Sequence, residues 1–78
     1  MPKLLLVEDD LRLANLISKF LQSNGFEVTV VHDGKDVIDY VNKDAPDIII
    51  LDVMLPHIDG FTLCKQLRKF YQHPILFL

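Results

Sequence analysis

Acidic residues follow two apolar runs directly. Leu4-Leu5-Leu6-Val7 leads into Glu8-Asp9-Asp10, and Ile48-Ile49-Ile50-Leu51 leads into Asp52. Short uninterrupted apolar runs of this kind read as strands buried on both faces of a parallel sheet. If both runs lie in one such sheet, their carboxylates gather at its carboxyl edge, where open α/β sheets bind ligands. Like charges held close need a cation, and hard carboxylate oxygens suit Mg²⁺. An aspartate beside Mg²⁺ can also act as a nucleophile toward phosphorus.

The elements that must do this positioning follow from the pattern. After the first strand, Lys3 to Val7, Asp10 is placed to cap a helix. Leu13, Leu16, Ile17, Phe20 and Leu21 form its expected apolar face, with Arg12, Asn15, Ser18, Lys19 and Gln22 opposite. Asn24-Gly25 stops it, Gly25 suiting a left-handed position. Phe26 to Val31 is a second strand, rich in β-branched residues, and His32-Asp33-Gly34 a turn. Val37, Ile38 and Val41 mark a short second helix, ended by Lys43-Asp44-Ala45-Pro46. Asp47 to Leu51 is the third strand. Val53 to Gly60 is a loop, and a third helix carries Phe61, Cys64, Leu67 and Arg68 to Tyr71. His73-Pro74 breaks it before a fourth strand, Ile75 to Leu78. The order β-α-β-α-β-α-β implies parallel βαβ units with right-handed crossovers.

Composition narrows the function. Seventy-eight residues make at most one small domain, which buries only roughly 60% of its unfolded surface. Half the residues are hydrophobic, too many for a disordered chain. Eleven acidic against eight basic residues give a net charge of -3, no electrostatic reason to expect nucleic-acid binding by this segment itself. One cysteine excludes an intrachain disulfide. No apolar run approaches a membrane span, and the four apolar residues before Glu8 are too few for a signal-peptide core. A cytoplasmic chain is expected.

The stretch Val7-Glu8-Asp9-Asp10, with Leu51-Asp52-Val53-Met54-Leu55-Pro56 and Asp59-Gly60, resembles the receiver domain of two-component response regulators. With Cys64, Leu67 and Arg68, it is most similar to the OmpR/PhoB-type group, which carries a winged-helix DNA-binding output domain. The resemblance covers all 78 residues and implies a flavodoxin-like (CheY-like) doubly wound parallel α/β sheet. It implies that Asp52 is a phosphoacceptor, taking a phosphoryl group from a sensor histidine kinase. It further implies that Asp9 binds Mg²⁺ directly, Glu8 through water, and Met54 through its backbone carbonyl, with Asp52 completing the set. The chain is then a switch and not an enzyme, acting in transcription regulation. DNA is met only through an output domain outside this chain.

Relative to that family the fold is expected to be incomplete. Residues 1–78 read as the N-terminal portion of a receiver that stops after the fourth strand. On that reading the hydroxyl residue expected next, the fifth strand and its lysine, two helices and any output domain are expected to lie outside residues 1–78. The fourth strand should then lie open at the sheet edge, inviting homodimerisation, edge pairing or a domain swap. A receiver-like interaction module that is never phosphorylated is the alternative. A haloacid-dehalogenase-type enzyme, which also uses an aspartate with Mg²⁺, would need a second aspartate two residues after its nucleophile, and position 54 is Met.

The remaining candidates have plainer readings. Asp10 and Asp59 are expected as helix caps, Pro56 and Gly60 as turn geometry. Cys64 is expected as a packed small hydrophobe. His32, His57 and His73 fall in three separate turns without ligand-like spacing and are expected at the surface.

Overall fold

A computed structural model describes residues 1–78. The elements are β1 (Lys3–Val7), α1 (Leu11–Ser23), β2 (Glu27–Val31), a 3₁₀ turn (Gly34–Asp36), α2 (Val37–Lys43), β3 (Ile48–Leu51), α3 (Gly60–Leu67) and β4 (Ile75–Phe77). All strand pairs are parallel, in the order β2-β1-β3-β4. This is the flavodoxin-like order up to its fourth strand.

The unbroken apolar runs are explained by helices on both sheet faces. Leu4 and Leu6 point into one layer with Ala14 of α1, flanked by Ile17, Leu21, Val28, Val30, Ile48 and Ile50. Leu5, Val7, Ile49 and Leu51 point the other way, onto Val37 and Val41 of α2, Leu63 and Leu67 of α3, and Tyr71. Successive strand residues alternate faces, so two cores need both parities to be apolar.

The face that α1 turns to the sheet differs from the expected stripe. Ala14 and Ser18 are its buried residues, with Ile17 and Leu21 beside them, while Leu16 and Phe20 are each 67% exposed. Both sets recur at three- and four-residue spacing. The small side chains let the helix settle closely onto β1 and β2, and the larger Leu13, Leu16 and Phe20 are left outward. Asp10 caps the helix as expected, its side chain accepting from the Leu13 N–H at 3.1 Å. Gly25 has φ +92°.

Four boundaries move, the simplest being β4, which ends at Phe77 and not Leu78. β2 begins at Glu27 and β3 at Ile48; just before β3 the Asp47 N–H donates to the Lys3 carbonyl at 2.8 Å while its carboxylate accepts the Lys3 N–H at 2.7 Å. α3 ends at Leu67 and does not run to Tyr71. The Arg68 guanidinium then donates to the Tyr71 and His73 carbonyls, and the buried Tyr71 hydroxyl donates to the Pro46 carbonyl at 2.9 Å.

β4 forms one edge of the sheet, as expected. Leu76, Phe77 and Leu78 are exposed, although Phe77 lies against Phe61 with ring centroids 5.0 Å apart. No helix is long and apolar enough to cross a membrane.

Candidate functional site

β1 and β3 are neighbours, with Val7 opposite Leu51. The next residues are Glu8 and Asp52. The backbone ladder continues one step past both strands: the Glu8 N–H donates to the Val31 carbonyl and the Asp52 N–H to the Val7 carbonyl, each at 3.1 Å. Both residues therefore leave the sheet from fixed backbone positions.

The carboxylates of Glu8, Asp9 and Asp52 offer oxygens that all lie within 4.8 Å of one another. Glu8 is 2% exposed, Asp52 is half-buried and Asp9 is open to solvent. Burial pushes the Glu8 carboxyl above its ordinary range. The Asp10 N–H, donating to Glu8 Oε2 at 3.1 Å, opposes this, while the Asp52 charge and hydrogen bonding with Asp9 and Asp52 add to it. Within residues 1–78 the ion pairs lie elsewhere, at Lys3–Asp44, Lys35–Asp33 and His57–Asp33. Three oxygen donors of net negative charge, one of them buried, suit a hard divalent ion such as Mg²⁺.

The structure thus brings together three of the four residues singled out for this site. Met54 adjoins them through its backbone: its N–H donates to Asp52 Oδ1 at 3.1 Å, while its side chain is 82% exposed.

The loop from Asp52 to Gly60 is held at both ends. Asp59 caps α3, accepting from the Thr62 N–H at 2.9 Å and the Thr62 hydroxyl at 2.8 Å. The Thr62 N–H, and then its hydroxyl, holds the Asp59 carboxyl below its ordinary value. Gly60 is more than turn geometry. It is the buried first residue of α3, and its N–H donates to the Val53 carbonyl at 2.7 Å.

Two histidine contacts escaped the sequence. His57, at φ +70°, places Nδ1 2.7 Å from Asp33 Oδ2. Asp33 also accepts the Lys35 N–H at 3.0 Å, and that bond first, then His57, lowers its pKa. The pair joins the β2–α2 turn to the loop after Asp52, and the Ile58 side chain packs over Gly34 beneath it. His32 Nδ1 lies 3.0 Å from the Glu8 carbonyl oxygen. An aspartate before glycine signals a cap, but nothing local signals partners so distant in sequence. His32 and His57 are exposed, as expected, and His73 rests edge-on against Tyr71. Cys64 packs half-buried against the larger core, as a small hydrophobe should.

Comparison with known proteins agrees with this geometry. Residues 4–78 match the family model described as the response regulator receiver domain. The chain is 46% identical over 76 residues to the regulatory protein VanRc of Enterococcus gallinarum, covering 97% of this chain and 33% of VanRc. It is 40% identical over 75 residues to the transcriptional regulatory protein BaeR of Escherichia coli O6:H1, covering 96% of this chain and 31% of BaeR. The chain thus spans about a third of these relatives' length. Among solved structures, it matches the BeF3-activated N-terminal receiver domain of Klebsiella pneumoniae RstA with a TM-score of 0.92 and 37% identity, covering 96% of this chain and 64% of that one.

Proposed function

The chain belongs to the response regulator receiver domain family, and on that premise we propose that Asp52 accepts a phosphoryl group from the phosphohistidine of a sensor histidine kinase. The observation that carries the proposal is the convergence of Glu8, Asp9 and Asp52 within 4.8 Å at the ends of adjacent strands.

Each residue has a part. Asp52 Oδ1 is occupied by the Met54 N–H, which leaves Oδ2 for attack on phosphorus. As the Oδ2–P bond forms, the P–N bond breaks, and the imidazole of the kinase keeps the electron pair and takes up a proton. The product is an aspartyl phosphate. Glu8, Asp9, Asp52 and the Met54 carbonyl are the groups that would hold Mg²⁺. Bound there, Mg²⁺ supplies positive charge against the phosphoryl oxygens, the main requirement of phosphoryl transfer. Asp10 and Asp59 fix the helices on either side.

The phosphoryl group would serve as a switch, with no substrate turned over. The likeness to regulators such as BaeR supports control of a DNA-binding output domain lying outside residues 1–78, in the cytoplasm. A second reading, an interaction module that is never phosphorylated, is the alternative.

Intact mass after treatment with acetyl phosphate and MgCl₂ tests the first reading. One added phosphoryl group, absent in Asp52→Asn, is expected. A folded chain that gains none, or a gain that persists in Asp52→Asn, would refute it. Sedimentation of the same sample tests self-association.

A further inference from the structure

We propose that His32 is a positioning residue for the acidic site, holding the peptide that joins Glu8 to Asp9; the inference rests on the function proposed above. The carbonyl that His32 Nδ1 meets at 3.0 Å is that of Glu8, so it belongs to the peptide unit between two of the three clustered carboxylates. A contact with a carbonyl oxygen is a hydrogen bond only when Nδ1 carries the proton, so the ring donates.

The reason lies in how β2 ends. Its last carbonyl, that of Val31, accepts the Glu8 N–H at 3.1 Å. The chain then turns away into the 3₁₀ turn capped by Asp33. The ladder runs no further along β2, and the imidazole of the next residue supplies the donor for the Glu8 carbonyl. Glu8 is thereby tied to the end of β2 through both its N–H and its C=O. The starting direction of the Asp9 side chain is set by the same peptide plane. His32 touches no carboxylate and acts only through that backbone.

Its ring also borders a cavity of about 190 Å³ between α1 and β2, lined further by Leu11, Ala14, Asn15, Ser18 and Val30. Because the ring is exposed and beside space already open, its removal leaves the packed core intact. Groups that orient metal ligands from outside typically govern affinity by roughly tenfold or more.

The test compares wild type, His32→Ala and His32→Asn. The asparagine side-chain amide stands as many bonds from Cα as Nδ1 does, and can donate in its place. Two quantities are read: the Mg²⁺ dissociation constant by calorimetric titration, and Asp9 amide hydrogen exchange in EDTA. The expected result is roughly tenfold weaker Mg²⁺ binding in His32→Ala, recovered in His32→Asn, with faster Asp9 exchange in the alanine variant alone. Equal affinity in wild type and His32→Ala would overturn the inference, as would equal losses in both variants. A wild type that binds no Mg²⁺ would overturn the site reading and this inference together. That result is distinguishable, because it concerns the unaltered protein.

Discussion

Gly60 stands with its α-carbon against the backbone carbonyl of Asp52. A Cβ built there would collide with that oxygen and lie 2.9 Å from the Cα of Val53. The obstructing atoms are backbone and cannot swing aside. Gly60→Ala must therefore move the start of α3 or the loop that leaves Asp52. Overpacking of this kind costs about 1–3 kcal/mol. Thermal unfolding should show the loss, and acetyl phosphate labelling of Asp52 should slow even in samples that remain folded. An alanine variant with unchanged stability and labelling would show that the loop yields freely.

Glu8 gives a pH dependence whose sign can be worked out. Burial, first among its causes, raises its folded-state pKa above the ordinary 4.5. The folded chain then binds that proton more tightly than the unfolded one. The contribution of Glu8 to stability without metal is therefore fully present below 4.5 and is lost as pH rises through the raised value. Glu8→Gln removes the charge and keeps an oxygen for the Asp10 N–H. Its unfolding midpoint in EDTA should exceed that of wild type at pH 7, the gap closing toward pH 4. A Gln variant less stable than wild type at pH 7 would contradict the assignment. Asp33 and Asp59 act in the opposite sense. Their pKa values are lowered, so their contribution is present above the ordinary 3.8 and is lost as pH falls through the lowered values.

Tyr71 joins the far end of the molecule. Its hydroxyl is the donor for the Pro46 carbonyl in a buried setting, and burial raises its pKa. Tyr71→Phe keeps the ring and abandons that carbonyl. A cost of about 1–3 kcal/mol follows, readable in urea unfolding. Mg²⁺ affinity should not change, since Tyr71 packs in the core and none of its contacts reaches the clustered carboxylates.

Asp10 adjoins the acidic cluster in sequence, yet its carboxylate is spent on the Leu13 N–H. Asp10→Ala should cost about 1 kcal/mol of stability, and Asp10→Asn much less, because asparagine caps as well. Mg²⁺ dissociation constants should match wild type in both. A loss of affinity in Asp10→Asn at full stability would make Asp10 a ligand and not a cap.

The parts legible in the sequence are those fixed by local pattern. Four consecutive apolar residues before Glu8 and before Asp52 announce strands covered on both sides. Asp10 and Asp59 announce helix starts, and Gly25 a helix end. The cluster itself needed only the assumption that the two strands are parallel neighbours. What escaped depended on tertiary context. Periodicity could not choose between two stripes on α1, and size misled, since close approach to a sheet favours Ala14 and Ser18 over Leu16 and Phe20. Gly60 read as a turn because nothing local discloses the carbonyl it packs against. The bonds from His57 to Asp33 and from His32 to Glu8 span loops whose proximity exists only in the folded sheet.

The register of β1 against β3 limits how such a chain can vary. The phase of each strand decides whether its last carboxylate meets the others, since a slip of one residue sends a side chain to the opposite face. Between the two strands, the connection from α2 to β3 carries no such constraint. Residues gained or lost around Asn42 to Ala45, which are exposed, leave Glu8 and Asp52 where they are. A single residue inserted between Ile48 and Leu51 would part them while leaving composition and helix pattern almost unchanged. Surveys of natural length variation, or libraries of random insertions, should find the connection from α2 to β3 elastic and the two tetrapeptides that precede the carboxylates fixed in length.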